Sequence, residues 1–294
     1  MNTIMSENQW RDSILNIVLK AFAFNPDLNK ALVFKGARIL NQHLGRGRFS
    51  LDIDSSFSTE FIQEHKSREQ WREFIEGNTP KALKTHFNSQ EIIRYEYEGL
   101  EIIHRPKKNP HSRGWDGLIL KIKIKDSSYG ETPVLEIDIT APEKYDHNSI
   151  KRLVLEGREV NAYSLERCVG EKFRAYLSST DAYRKKIKEP KMVPLRVKDL
   201  YDISLTKRIK ILSQNHHFWK IAGEQFNLAC ETRYVDCNGL KTFTDTWDIA
   251  KNAYESEATL HTGELISWNE ARQSIEDLIC FFETQGLFPI DVPL

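Results

Sequence analysis

The chain is predicted to fold as α+β, a mixed β-sheet flanked by helices followed by a mainly helical second half. Three observations support this. Segments with strand-like patterning, Ile92–Tyr97, Leu100–His104, Leu118–Lys125 and Val134–Thr140, crowd between about residues 91 and 140. Helical spacing takes over after about residue 164. Between the first helices and those strands lies an acidic alternating segment, Arg48-Phe-Ser50-Leu-Asp52-Ile-Asp54.

In chain order, Trp10, Ile14, Ile17, Val18 and Phe22 give residues 9–24 a helical stripe that ends before Pro26. The apolar run Ala31–Phe34 stops at Lys35-Gly36, a short helical stretch covers Ile39–Leu44, and Gly45-Arg46-Gly47 breaks it. Residues 59–77 read as a polar-faced helix anchored by Phe61, Trp71 and Phe74. Asp126–Gly130 reads as the turn of a hairpin. Further helices are expected at 165–180, 195–213, 243–256 and 268–284, and the aromatic-rich stretch 205–294 reads as helical core.

Bulk properties narrow the class. The 294 residues suffice for one large domain or two ordinary ones. Hydrophobic residues at 40% and charged residues at 29% describe an ordinary globular chain. Lys plus Arg equals Asp plus Glu at 42 each, so no global field draws the protein to nucleic acid or membrane. No apolar run is long enough to span a bilayer, and residues 1–11 lack a signal-peptide core. Cys168, Cys230, Cys237 and Cys280 are scattered, which indicates neither a zinc site nor a disulfide framework. A reducing cytoplasm is the expected location.

Candidate chemistry begins at residues 48–54. On a strand, Phe49, Leu51 and Ile53 face one way, while Ser50, Asp52 and Asp54 face the other. Two carboxylates that close repel each other and favour a cation between them, and oxygen ligands suit Mg²⁺ or Mn²⁺. A polar edge facing water is the plainer account. Val134–Ile139 repeats the pattern with Glu136 and Asp138. Asp138 is taken as a third acid, whereas Glu136 is better read as part of a wet face opposite Lys121, Lys123 and Lys125.

Lys172 falls inside the apolar stripe of its helix, where an ammonium needs an anion. Snorkelling is the ordinary alternative. Asp199 and Asp202 share a face of the helix after Pro194, and pairing with Lys172 would explain all three. Residues 181–198 carry Arg184, Lys185, Lys186, Lys188, Lys191, Arg196 and Lys198 against Asp181 and Glu189, a local excess of five positive charges. Such a run is usually a solvated loop, but here a phosphate or RNA backbone is a reasonable guest.

Together, Lys35-Gly36-Ala37-Arg38-Ile39-Leu40, Arg48-x-Ser50-x-Asp52-x-Asp54, Lys172 and Arg196-x-x-Asp199-x-x-Asp202 resemble the AbiEii/AbiGii-type nucleotidyltransferases. These are toxins of abortive-infection and toxin–antitoxin systems within the DNA polymerase β-like superfamily. The resemblance implies a nucleotidyltransferase domain at residues 1–163. A helical domain at 164–294 would contribute Lys172, Asp199 and Asp202. Asp52, Asp54 and Asp138 would bind Mg²⁺ or Mn²⁺, with Asp138 aligning or deprotonating the acceptor hydroxyl. Lys35, Gly36, Arg38, Arg48, Ser50, Lys172 and Arg196 would bind the nucleotide, and Asp199 or Asp202 would orient Lys172. The implied reaction moves a nucleoside monophosphate from NTP to a tRNA 3′ end or a protein hydroxyl, releasing pyrophosphate, with a cognate antitoxin as partner.

Where the family usually shows Lys-Gly-Gly-Thr, this chain has Ala37 and Arg38. That substitution motivates a second reading, a non-catalytic relative that binds nucleotide or RNA. A metal-dependent nuclease ranks last, because Glu136-Ile-Asp138 lacks the Glu-x-Lys expected after an acidic strand.

Overall fold

The structure, a computed structural model, describes residues 6–91, 93–107, 116–155, 157–189, 193–257, 260 and 262–294. Expectations touching residues 1–5, Ile92 and Lys191 lie outside the described residues. The chain forms two compact units. The first comprises Met1–Arg38, Phe49–Glu143 and Lys151–Ala162. The second comprises Ile39–Arg48, Lys144–Ile150 and Tyr163–Leu294. The division is thus not the single cut expected at residue 163, since two short segments from the first half belong to the second unit.

The first unit is built on a seven-stranded mixed sheet in the order β3-β4-β5-β2-β1-β7-β6. Its strands are β1 (Leu32–Lys35), β2 (Ile53–Phe57), β3 (Tyr95–His104), β4 (Asp116–Asp126), β5 (Leu135–Ala141), β6 (Ile150–Leu155) and β7 (Arg158–Tyr163). β2 runs parallel to β5 and antiparallel to β1, while β1 runs parallel to β7. One face is apolar: Ile102, Leu118, Leu120, Ile137, Ile139, Ile53, Phe57, Leu32 and Phe34 are all buried. Helices α1 (Glu7–Phe24), α2 (Pro26–Ala31), α4 (Thr59–Glu64) and α5 (Arg68–Asn88) complete this unit. Ser6 and Gln9 form a capping box on α1, and Trp10 donates through Nε1 to Asp126 at 2.8 Å.

Several boundaries differ from the sequence reading. The acidic strand begins at Ile53, and residues 48–52 form an irregular approach to it. The predicted pair of strands between 92 and 104 is one strand, β3, with a register shift between Tyr97 and Gly99. The single helix expected over 59–77 is two, because Ser67 caps a new start with Gln70. β6 and β7 are not among the predicted strands: the charged pairs Lys151-Arg152 and Arg158-Glu159 interrupt any alternation, and β6 is the edge of the sheet.

Helix α3 (Gly36–Leu44) starts in the first unit and ends in the second. The second unit's other helices are α6 (Leu165–Ser178), α7 (Asp181–Lys186), α8 (Val197–Arg208), α9 (Lys210–Ser213), α10 (His216–Arg233), α11 (Leu240–Thr244), α12 (Trp247–Ser256) and α13 (Trp268–Thr284). The ring of Phe173 sits 5.3 Å from Phe226, 6.0 Å from Phe243 and 5.6 Å from Phe282, so α6 joins α10, α11 and α13 in one aromatic core. Gly170 lets α6 approach α10 closely: a Cβ there would lie 2.5 Å from the Phe226 amide nitrogen. No helix among the described residues is long and apolar enough to cross a membrane.

Candidate functional site

On the polar face of the sheet, three strands align charged residues. Lys35 of β1 is directly opposite Asp54 of β2, and Asp54 is directly opposite Asp138 of β5. Adjacent strands place opposed Cβ atoms about 5 Å apart, so the two carboxylates are immediate neighbours. Gly36 ends the β1 register with φ +81° and opens α3. A Cβ at Gly36 would lie 2.1 Å from Asp54 Oδ2, so the turn must be glycine on both steric and conformational grounds.

Asp52 is exposed on the approach segment rather than on the strand. The Ser50 hydroxyl donates to its Oδ1 and to its carbonyl, both at 3.2 Å. Burial pushes the Asp138 carboxyl above the usual carboxylate range; Arg105 and Lys35 oppose that rise, whereas Asp52 and Glu136 add to it. The Arg105 guanidinium stands 3.8 Å from Asp138 but is 70% exposed, which makes it a loose, screened partner. Glu136 is directly opposite Lys121, and Lys123 and Lys125 pair with Glu98 and Glu96 across β3, as a wet face requires.

Three residues expected at the nucleotide, Arg38, Ser50 and Lys35, are otherwise engaged. Arg38 is buried, donating to the Asp12 carbonyl and carboxylate, to Asn16 Oδ1 at 2.6 Å and to the Ser50 carbonyl. It braces the approach segment against α1, because a guanidinium this desolvated needs several acceptors. Ser50 is buried beside it. Lys35 Nζ donates to Thr140 Oγ1 at 2.7 Å and to Glu143 Oε1 at 2.9 Å. Glu143, Arg105, Asp12 and Asn16 are residues here that the sequence did not single out; none lies on an apolar or acidic period.

A divalent cation suits this place chemically, because half-buried Asp138 stands in register with Asp54, and the nearby carboxylates of Asp52 and Glu136 add negative charge that a cation would offset. Among the described residues, however, no three His, Cys, Asp or Glu side chains already converge as a finished cage. Coordination would therefore be completed by substrate oxygens, the usual habit of Mg²⁺.

The second unit holds a buried ionic network. Lys172 Nζ lies 2.9 Å from Asp199 Oδ1 and 2.7 Å from Asp202 Oδ2. Arg48 grips Asp202 through Nε at 3.1 Å and Nη2 at 2.9 Å, while Arg196 Nε reaches Asp199 Oδ2 at 2.8 Å. Arg48, expected at the nucleotide, is thus buried on a carboxylate. Burial alone would raise the Asp199 carboxyl, but Arg196 and Lys172 outweigh it and hold the group well below the usual range. Burial disfavours the Lys172 ammonium, yet Asp199 and Asp202 raise its affinity for the proton above the ordinary value. The snorkelling account of Lys172 fails, since its side chain is 7% exposed.

The basic run is largely compensated. Arg184 pairs with Glu189, Lys186 with Asp236, Arg196 with Asp199 and Lys198 with Glu257. That neutralisation weakens the case for an RNA backbone there.

Two solved structures share this arrangement of sheet and helices. One is a Helicobacter pylori protein provisionally assigned as a nucleotidyltransferase, with a TM-score of 0.51, 17% identity and 94% of each chain covered. The other, JHP933 from Helicobacter pylori, has a TM-score of 0.51 and 16% identity, covering 96% of this chain and 94% of that one. At these identities the likeness shows the fold alone. No curated protein matches the chain. The AbiEii nucleotidyl transferase toxin family, of type IV toxin–antitoxin systems, matches residues 17–261, and the chain belongs to that family.

Proposed function

We propose that this protein is a metal-dependent nucleotidyltransferase that moves a nucleoside monophosphate from NTP to a tRNA 3′ end or a protein hydroxyl, releasing pyrophosphate. One observation carries the reading: Asp54 and Asp138 stand side by side on parallel strands, with the Gly36 turn seated against Asp54. In this reading Asp52, Asp54 and Asp138 hold Mg²⁺ or Mn²⁺, which supplies neutralisation of the charge on the triphosphate. The α3 N-terminus behind Gly36 receives phosphate oxygens on its unpaired amides. Asp138, whose proton affinity is raised by burial, aligns the acceptor hydroxyl and takes its proton. Arg38 and Ser50 hold Asp52 in place rather than touching the nucleotide.

For the second unit, we assign phosphate contact to Lys172 and to Arg196, with Asp199 and Asp202 orienting the lysine. NTP affinity of Lys172→Met tests that assignment on its own. Membership of a type IV toxin–antitoxin family makes a cognate antitoxin the expected partner.

The deciding experiment incubates the protein with Mg²⁺, each labelled NTP in turn, and a tRNA-plus-protein extract. Label should pass to one acceptor class with stoichiometric pyrophosphate release, and Asp54→Asn should lower both by on the order of 10²–10³-fold. Tight NTP binding without pyrophosphate release would favour the non-catalytic reading. Shortening of RNA would instead indicate a nuclease.

A further inference from the structure

Residues 48–52 carry no regular secondary structure, and side chains hold the backbone of Ser50 in their midst. Its amide donates to Asp12 Oδ1 at 3.2 Å, and its carbonyl accepts from Arg38 Nη2. The same Nη2 donates to the same Asp12 oxygen at 3.1 Å, which closes a ring of three residues. Arg38 Nη1 adds the Asp12 carbonyl at 3.2 Å and Asn16 Oδ1 at 2.6 Å, both on α1.

Arg38 is 4% exposed; burial lowers its proton affinity, and Asp12 and Asp52 partly offset that. A guanidinium so placed keeps its acceptors, since losing one leaves buried charge uncompensated. Beyond the ring, the Ser50 hydroxyl donates to Asp52 Oδ1 and to the Asp52 carbonyl, both at 3.2 Å. A chain of contacts thus runs from α1 to Asp52, whose charge also acts on Asp138 of β5. Asp52 is exposed and precedes the start of β2 at Ile53, so its place depends on these contacts. Mg²⁺ demands oxygen ligands at about 2.0–2.1 Å in near-ideal geometry, which leaves little room for a carboxylate to drift.

We propose that Asp12 is a positioning residue that holds Asp52 at the acidic row through Arg38 and Ser50. The proposal rests on reading Asp52 as a cation ligand. Asp12 is not itself a ligand; it acts through the ring.

Loss of an outer partner of a metal ligand costs about 10–100-fold in affinity. Mn²⁺ titration of the full chain, followed by electron paramagnetic resonance, should therefore show binding about tenfold weaker in Asp12→Ala. Asp12→Asn keeps an acceptor for both donors and should recover to within about threefold of the wild type. Ser50→Ala leaves the ring closed but cuts its link to the Asp52 carboxylate, so it should also weaken binding. Asn16→Ala loosens the same guanidinium without touching Ser50. It should lower the melting temperature as Asp12→Ala does, yet leave Mn²⁺ affinity within about twofold. In an Asp52→Ala background, Asp12→Ala should change Mn²⁺ affinity less than about twofold, because the carboxylate it positions is gone.

Wild-type affinity in Asp12→Ala would overturn the proposal, as would an undiminished loss in the Asp52→Ala background. Asn16→Ala as weak as Asp12→Ala would overturn it too, since any loosening of α1 would then suffice. Should Asp12→Ala fail to fold, Asp12→Glu takes its place: it keeps the charge, displaces it by one methylene and carries the same expectations. Wild-type Mn²⁺ affinity in Asp52→Ala would sink the reading of Asp52 as a ligand instead. In that event a crystal structure of Asp12→Ala decides the positioning role. An Asp52 carboxylate moved from its present place supports it, and one unmoved refutes it.

Discussion

Asp54 and Gly36 form the most constrained contact in the acidic row, and each supports a separate prediction. Asp54→Asn keeps the shape but removes a charge, so transfer should fall by on the order of 10²–10³-fold. Its melting temperature should hold or rise, because like-charge repulsion with Asp138 is relieved. Gly36→Ala meets both a left-handed φ of +81° and the Asp54 carboxylate. Strain of that kind costs about 1–3 kcal/mol, so a lower unfolding midpoint together with weakened Mn²⁺ binding is expected. Wild-type values of both measurements in Gly36→Ala would contradict the described turn. Both residues were legible in the sequence, since a period-two acidic segment and a Lys-Gly stop are local patterns. Arg38 was legible only as a residue, because nothing nearby in the chain indicates that α1 supplies its acceptors.

At the scale of elements, α6 and α8 are joined by Lys172, Asp199 and Asp202. Asp199 has its proton affinity lowered by folding, so its contribution to stability is present above the unfolded value near ~3.9 and fades as pH falls. Lys172 is raised by folding, so its contribution is present below ~10.4 and fades as pH climbs beyond that. Stability should therefore decline on both limbs, and Lys172→Met should flatten the alkaline one when denaturant midpoints are plotted against pH. That variant leaves two buried aspartates short of a partner and should cost about 3–5 kcal/mol. Where α6 crosses α10, Gly170→Ala presses a methyl into the Phe226 backbone and should cost about 1–3 kcal/mol. It should leave Mn²⁺ binding unaltered, because the acidic row belongs to the other unit.

Across the whole molecule, the α+β half and the helical half were legible because burial imposes periods of two and 3.6 on the residues that build them. The helical stripe containing Lys172, the carboxylates of β2 and β5 and the glycine that opens α3 follow from such local regularities. Partner choice came from elsewhere. Arg48 finds Asp202 across 154 positions of sequence, and Lys35 finds Glu143 across 108. The division into two units likewise takes 39–48 and 144–150 away from their sequence neighbours. The sequence by itself determined which side chains carry charge and which face of each element they share. Only the tertiary structure decided which opposite charge each one meets, because a buried ion pair depends on how distant segments close on one another, and no local period encodes that closure.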